Sequence, residues 1–154
     1  MRYSNLFGAV IEHVLTAGTT VRFRAEGTSM YPTIRDGEAI TLTSIAAADV
    51  VRGDVLLCRH EGRMLAHRVV EVTTRGADRF FELRGDSKAA CDTLVSADAV
   101  VGRIVGVRRN GRLRRLCGRA ARMRHSARAA GSQIKWLIMP VAIGLFGVSS
   151  RPSS

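Results

Sequence analysis

The chain has 154 residues and a formal net charge of +11, a length that suits one compact domain with an appendage. Residues 1–106 carry 13 Lys and Arg against 13 Asp and Glu, whereas residues 107–154 carry 11 Lys and Arg and no acid. The excess charge therefore sits in the C-terminal part and not in the body, which argues against a nucleic-acid-binding core. Three cysteines, Cys58, Cys91 and Cys117, with no Cys-x-x-Cys spacing, argue against a disulfide framework or a zinc site.

Taken in chain order, Leu6, Phe7, Val10, Ile11, Val14 and Leu15 recur at helical spacing and predict an amphipathic helix over about residues 4–17, stopped by Gly18. Glu12 and His13 interrupt its apolar stretch, so it does not read as a secretory signal. From residue 19 the period changes to that of strands. Val21 and Phe23 alternate with arginines, and Ile40 and Leu42 with threonines. Arg52-Gly53-Asp54 is a turn before Val55-Leu56-Leu57, and Glu61-Gly62-Arg63 is a hairpin turn leading into Met64 to Val72. Phe80 to Leu83 and Ala99 to Val107 supply two more strands. Many short strands with turns between them predict a mainly β, barrel-like or folded-sheet core over 19–107. Residues 108–133 read as an Arg-rich linker, helical in part. Residues 134–154 read as an apolar segment with a frayed end.

Gly27-Thr28-Ser29-Met30-Tyr31-Pro32 places a serine in a turn between two strands. A serine hydroxyl needs a base to become a nucleophile. The lysines are Lys88 and Lys135, and the histidines His13, His60, His67 and His125. Of the histidines, His67 alone lies inside an apolar strand, where a fixed position is available and where burial demands a hydrogen-bond partner. Asp86 and Asp92 follow the Phe80–Arg84 segment, and either could accept the second imidazole N–H. Each residue also has a plainer reading: His67 as a satisfied core histidine, Asp86 as turn chemistry in Gly-Asp-Ser, and Asp92 as a solvated loop residue.

Gly27-Thr28-Ser29-Met30-Tyr31-Pro32-Thr33-Ile34-Arg35-Asp36-Gly37-Glu38 resembles the serine box of the type I signal peptidase family. Arg52 to Leu57, Ala66-His67-Arg68-Val69-Val70 and Leu83-Arg84-Gly85-Asp86 resemble its following boxes, in order, over about residues 20–107. A histidine at position 67 resembles the Ser–His branch found in endoplasmic-reticulum, archaeal and sporulation-type members. The resemblance implies coiled β-sheets, Ser29 as nucleophile and His67 as general base. It implies Asp92 as first choice for the orienting carboxylate, with Asp86 as a supporting one. It also implies an oxyanion hole made by backbone donors near Gly27 to Ser29. Met30 and Pro32 would shape a groove for an extended leader or signal peptide, cut after small residues. No metal or organic cofactor is needed for that chemistry.

The C-terminal part bears on location. Fifteen helical residues from Ile134 to Val148 would cover about 22 Å, short of a roughly 30 Å hydrocarbon core. With its basic flank, the tail is expected to lie on an anionic membrane surface. A dedicated processing protease of cytoplasmic or membrane-surface leader peptides is the second expectation. A regulatory protein of the self-cleaving-repressor type is the third. His67 stands where those repressors use lysine, and about 18 residues before the first strand leave little room for a DNA-binding module. Trp136 is the sole aromatic near the basic run, so stacking support for nucleic acid is poor.

Overall fold

A computed structural model describes residues 2–3, 5–16, 20–90 and 93–117. Asp92 and Cys91, most of the Arg-rich segment and the whole apolar segment lie outside the described residues. The chain is mainly β. Its elements are β1 (Arg2–Tyr3), α1 (Asn5–Thr16), β2 (Val21–Arg24), β3 (Ala39–Thr43), β4 (Val55–His60), β5 (Arg63–Arg75), β6 (Asp78–Arg84), β7 (Thr93–Ser96), β8 (Val100–Arg109) and β9 (Arg112–Arg115). Short 3-10 turns at Ala47–Asp49 and Ala97–Ala99 precede β4 and β8.

All strand pairs are antiparallel, in the order β2-β3-β8-β4-β5-β6-β7, with β1 added to β5 and β9 to β8. The sheet curls into a half-barrel. Register shifts interrupt β3–β8 at Thr41/Leu42, β4–β8 at Leu57/Cys58 and β5–β6 at Val69/Glu71; such irregularities bend strands and increase their twist. The β4–β5 hairpin turns at Glu61 (φ 47°) and Gly62 (φ 70°). Two successive positive φ values match the right-handed strand twist that a two-residue hairpin requires.

Asn110 (φ 49°) and Gly111 (φ 74°) make the same kind of turn between β8 and β9. This corrects the sequence reading, which ended the core at 107 and opened an Arg-rich linker at 108. Arg108 and Arg109 continue β8, and Arg112 to Arg115 return beside it. Asn-Gly is a strong hairpin signal, and here it outweighs the helix-favouring arginine composition.

Apolar burial falls on both faces of the sheet. Val55 and Leu57 of β4 join one cluster with Ile11 and Leu15 of α1, Met30, Ile34, Ile40, Leu42 and Ile104. Leu56 and Cys58 of the same strand join a second with Val50, Val69, Phe81, Leu83 and Val95. Each such side chain contributes about 1.5–3 kcal/mol when fully buried. Helix α1 is held by Ile11 and Leu15 from below, and by an Arg59–Glu12 ion pair at 3.2 Å at its flank. Val10 and Val14 remain exposed. Among the described residues no helix is long and apolar enough to cross a membrane.

Candidate active site

Ser29 lies on a closed loop between β2 and β3. Ala25 N–H donates to the Glu38 carbonyl (2.8 Å) and Gly37 N–H to the Ala25 carbonyl (2.7 Å), which fastens the neck. Gly27 N–H donates to Asp36 Oδ1 at 2.7 Å. Ile34 N–H donates to the Met30 carbonyl at 2.9 Å, and both of those side chains are fully buried in the first cluster. Between these anchors Ser29 is half-buried and its neighbours Thr28, Tyr31 and Pro32 are exposed.

His67 is on β5, 2% exposed. The register Arg68↔Arg84 brings the preceding residue of β5, His67, opposite Gly85, the residue after β6. His67 Nε2 stands 3.3 Å from Ser29 Oγ. A neutral imidazole with its proton on Nδ1 accepts through Nε2, and the separation lies just beyond the roughly 2.6–3.2 Å reach of a general base.

The turn Gly85 to Lys88 closes the site from the third side. Lys88 N–H donates to the Gly85 carbonyl at 3.0 Å, and the Ser87 N–H and hydroxyl both donate to the Ser29 carbonyl at 3.0 Å. Gly85 has no room for a side chain. A Cβ there would stand 2.7 Å from the Ser29 carbonyl oxygen, 3.2 Å from His67 Nε2 and 3.3 Å from Ser29 Cβ. The close approach of the turn to the Ser–His pair therefore depends on glycine.

Asp86 meets the neighbour of the histidine. Arg68 Nε donates to its Oδ1 (2.8 Å) and Nη2 to its Oδ2 (2.7 Å), a two-pronged pair with both side chains 4% exposed. The same guanidinium donates to the Gly53 carbonyl at 2.8 Å and reaches Thr33 Oγ1 at 3.5 Å. Asp86 thus ties the turn to β5, to the Gly53 turn and to the serine loop. Nearby, Asp54 is 1% exposed, takes Val51 N–H at 3.2 Å and lies 3.6 Å from Arg103.

The residues expected from sequence fall into two groups. Ser29 meets His67 within β5, and Asp86 meets the next residue, Arg68, where β6 ends, whereas Asp92 lies outside the described residues. Gly27 spends its N–H on Asp36, so that donor does not face an oxyanion. Met30 is fully buried, so its side chain packs the core instead of lining a groove. Pro32 is exposed after a cis bond to Tyr31. Arg68 and Ser87 were missed as supports of the site; an arginine inside an apolar strand was the available signal, because a buried charge requires a partner.

Two open depressions, of about 640 Å³ beside Val50, Glu71, Arg79 and Glu82 and about 490 Å³ beside Ala47, Phe80 and Asp98, involve neither Ser29 nor His67. Among the described residues no three His, Cys, Asp or Glu side chains form a metal-binding group. Compared with known proteins, the chain matches no family model and no curated relative.

Proposed function

We propose that the protein is a serine endopeptidase of the signal-peptidase type, acting on an extended leader or signal peptide through Ser29 and His67. The observation that carries this reading is the 3.3 Å approach of a buried imidazole nitrogen to a half-buried serine hydroxyl. A buried, fixed histidine beside a serine on a separate loop is the arrangement nucleophilic catalysis needs.

In this reading His67 Nε2 takes the Ser29 proton as Oγ attacks the scissile carbonyl. The acyl-enzyme forms as the protonated imidazole returns that proton to the leaving amine. Water then attacks the ester; His67 accepts its proton and passes it to Ser29 Oγ as the acyl–oxygen bond breaks and the acid product leaves. With Gly27 N–H engaged, the oxyanion falls to the Ser29 N–H and its neighbours. The Arg68–Asp86 pair and the Ser87 donors to the Ser29 carbonyl hold the two reacting groups in register. An open surface beside Tyr31 and Pro32 suits an extended chain better than a closed cavity.

The test is cleavage of a small-residue, signal-like peptide by wild type, Ser29→Ala and His67→Ala, with anionic vesicles present, across pH 5–9. Cleavage by wild type alone, declining at acid pH as the imidazole takes up a proton and ceases to be a base, is the expected result. Cleavage that survives Ser29→Ala would remove the assignment.

A further inference from the structure

The serine loop has a second arginine. Arg109, at the end of β8, donates through Nε to Glu38 Oε1 and through Nη2 to Glu38 Oε2 at 2.9 Å. The same Nη2 reaches the Pro32 carbonyl at 3.2 Å and the Thr33 carbonyl at 3.3 Å. Glu38 Oε2 in turn accepts the Arg35 N–H at 2.9 Å. One guanidinium therefore grips both the neck of the loop and the turn that follows Ser29. The paired side chains are only 12% (Glu38) and 23% (Arg109) exposed. Glu38 is held below the ordinary carboxylate range, first by its hydrogen bond from Arg109 and then by the Arg35 N–H and the two guanidinium charges, against the opposing effect of burial.

The grip falls between two core anchors of the loop, Met30 and Ile34. Downstream of Ser29, Tyr31 and Pro32 are exposed and contribute no core packing. Arg68 reaches Thr33 only through its side-chain hydroxyl, at 3.5 Å, the outer limit of a hydrogen bond. Two adjacent carbonyls, three and four residues beyond the nucleophile, meet one planar fork that carries its own counter-ion. A lysine head, a compact point charge, cannot serve a carboxylate and two carbonyls in that geometry.

We propose that Arg109, oriented by Glu38, is a positioning residue that sets the distance between Ser29 and His67 by binding the Pro32 and Thr33 carbonyls to β8. This deepens the Ser–His reading and rests on it for its catalytic consequence, while the strap itself is a statement about the loop.

The experiment uses the full chain and two readouts. The first is the rate at which a serine-directed fluorophosphonate modifies Ser29 in wild type, Arg109→Gln, Arg109→Lys and Glu38→Gln, with Ser29→Ala as blank. The second is amide hydrogen exchange at Tyr31 and Ile34 compared with β4 and β5. Displacing a nucleophile by about 1 Å costs on the order of a hundredfold. Modification is therefore expected to slow roughly ten- to a hundredfold in Arg109→Gln, to recover only in part in Arg109→Lys, and to slow in Glu38→Gln, with faster exchange confined to the loop. Wild-type modification rates in Arg109→Gln would overturn the proposal. So would slowing accompanied by faster exchange throughout β4 and β5, because that is loss of the fold and not of a strap. If the wild-type protein is not modified at Ser29, the Ser–His reading fails by itself. Exchange then decides the strap: acceleration at Tyr31 and Ile34 supports it, and unchanged exchange overturns it.

Discussion

The hairpin that carries His67 and the loop that carries Ser29 are secured in opposite ways. In the β4–β5 hairpin, successive residues Val55, Leu56, Leu57 and Cys58 are all buried, alternately in the two apolar clusters. The loop sends only Ala25, Met30 and Ile34 into the core. Its other ties are polar and come from distant strands and turns: Arg68, Ser87 and Arg109. The proposed base is fixed by packing, and the proposed nucleophile by hydrogen bonds and ion pairs. The serine loop should therefore be the more sensitive of the two to the loss of its polar ties.

The largest effect that tests this contrast is on chemistry. Ser29→Ala, and His67→Ala or the bulkier His67→Gln, should each lower peptide cleavage by at least about a thousandfold, since neither residue of such a pair works alone. Near-native circular dichroism in the serine variant would show that the loss is chemical. Full activity in both His67 variants would mean that the packed hairpin presents a core histidine and not a base.

The next effect is on stability. Asp86→Ala leaves the Arg68 guanidinium, 4% exposed, without its carboxylate, and breaking a buried pair in this way costs about 3–5 kcal/mol. Replacing both partners, Arg68→Met with Asp86→Leu, should recover much of that loss in urea unfolding while leaving cleavage impaired, because the Thr33 and Gly53 contacts go with the arginine. Recovery of activity along with stability would show that the loop does not need its polar ties. Gly85→Ala comes next. Its Cβ must displace the Ser29 carbonyl from 2.7 Å, an overpacking worth about 1–3 kcal/mol, and the shift moves Ser29 itself. Cleavage is expected to fall further than unfolding free energy would account for.

Acid should separate the two regions. The carboxyl of Glu38 is depressed by Arg109. A depressed carboxylate adds stability that is complete above its unfolded-state value, near 4.3, and is lost as pH falls through the lower folded-state value. The urea midpoint of wild type should therefore drop more steeply below about pH 4.3 than that of Glu38→Gln. Equal slopes would take Glu38 out of the loop's support.

How far the sequence disclosed all this follows the same division. Strands with apolar alternation, Val21 and Phe23 or Ile40 and Leu42, were legible, as was the double-faced run of β4. Three strands were not, and of these Arg2–Tyr3 has only two residues. Thr93–Ser96 is a four-residue edge in which Val95 alone is buried and Leu94 is exposed, too short a run to show a period. Arg112–Arg115 is almost wholly charged, and composition masked the Asn110-Gly111 turn. At the site, Ser29, His67 and Asp86 could be named because their residue types carry chemistry. The pairing of Asp86 with Arg68 could not, since it depends on a register across 18 positions. Nor could the placement of Met30, because an apolar residue beside a nucleophile fits a groove as well as a core until its burial is known. The partners of Arg109 lie 71 to 77 positions away, and nothing local marks them.

Cys58 offers the finest test of whether hairpin and loop are independent. Burial pushes its thiol up to about 12, so at pH 8 roughly one molecule in ten thousand carries the thiolate that reacts. Alkylation of Cys58 by iodoacetamide then requires the hairpin to open, and its rate reports that opening alone. Arg109→Gln should leave the rate within about twofold of wild type, because distant sites with no shared partner act additively. A matching rise in Cys58 alkylation and in exchange at Ile34 would mean that loop and hairpin open as one unit. The arginine straps would then be supports of the whole core instead of the means by which one hydroxyl is set against one imidazole.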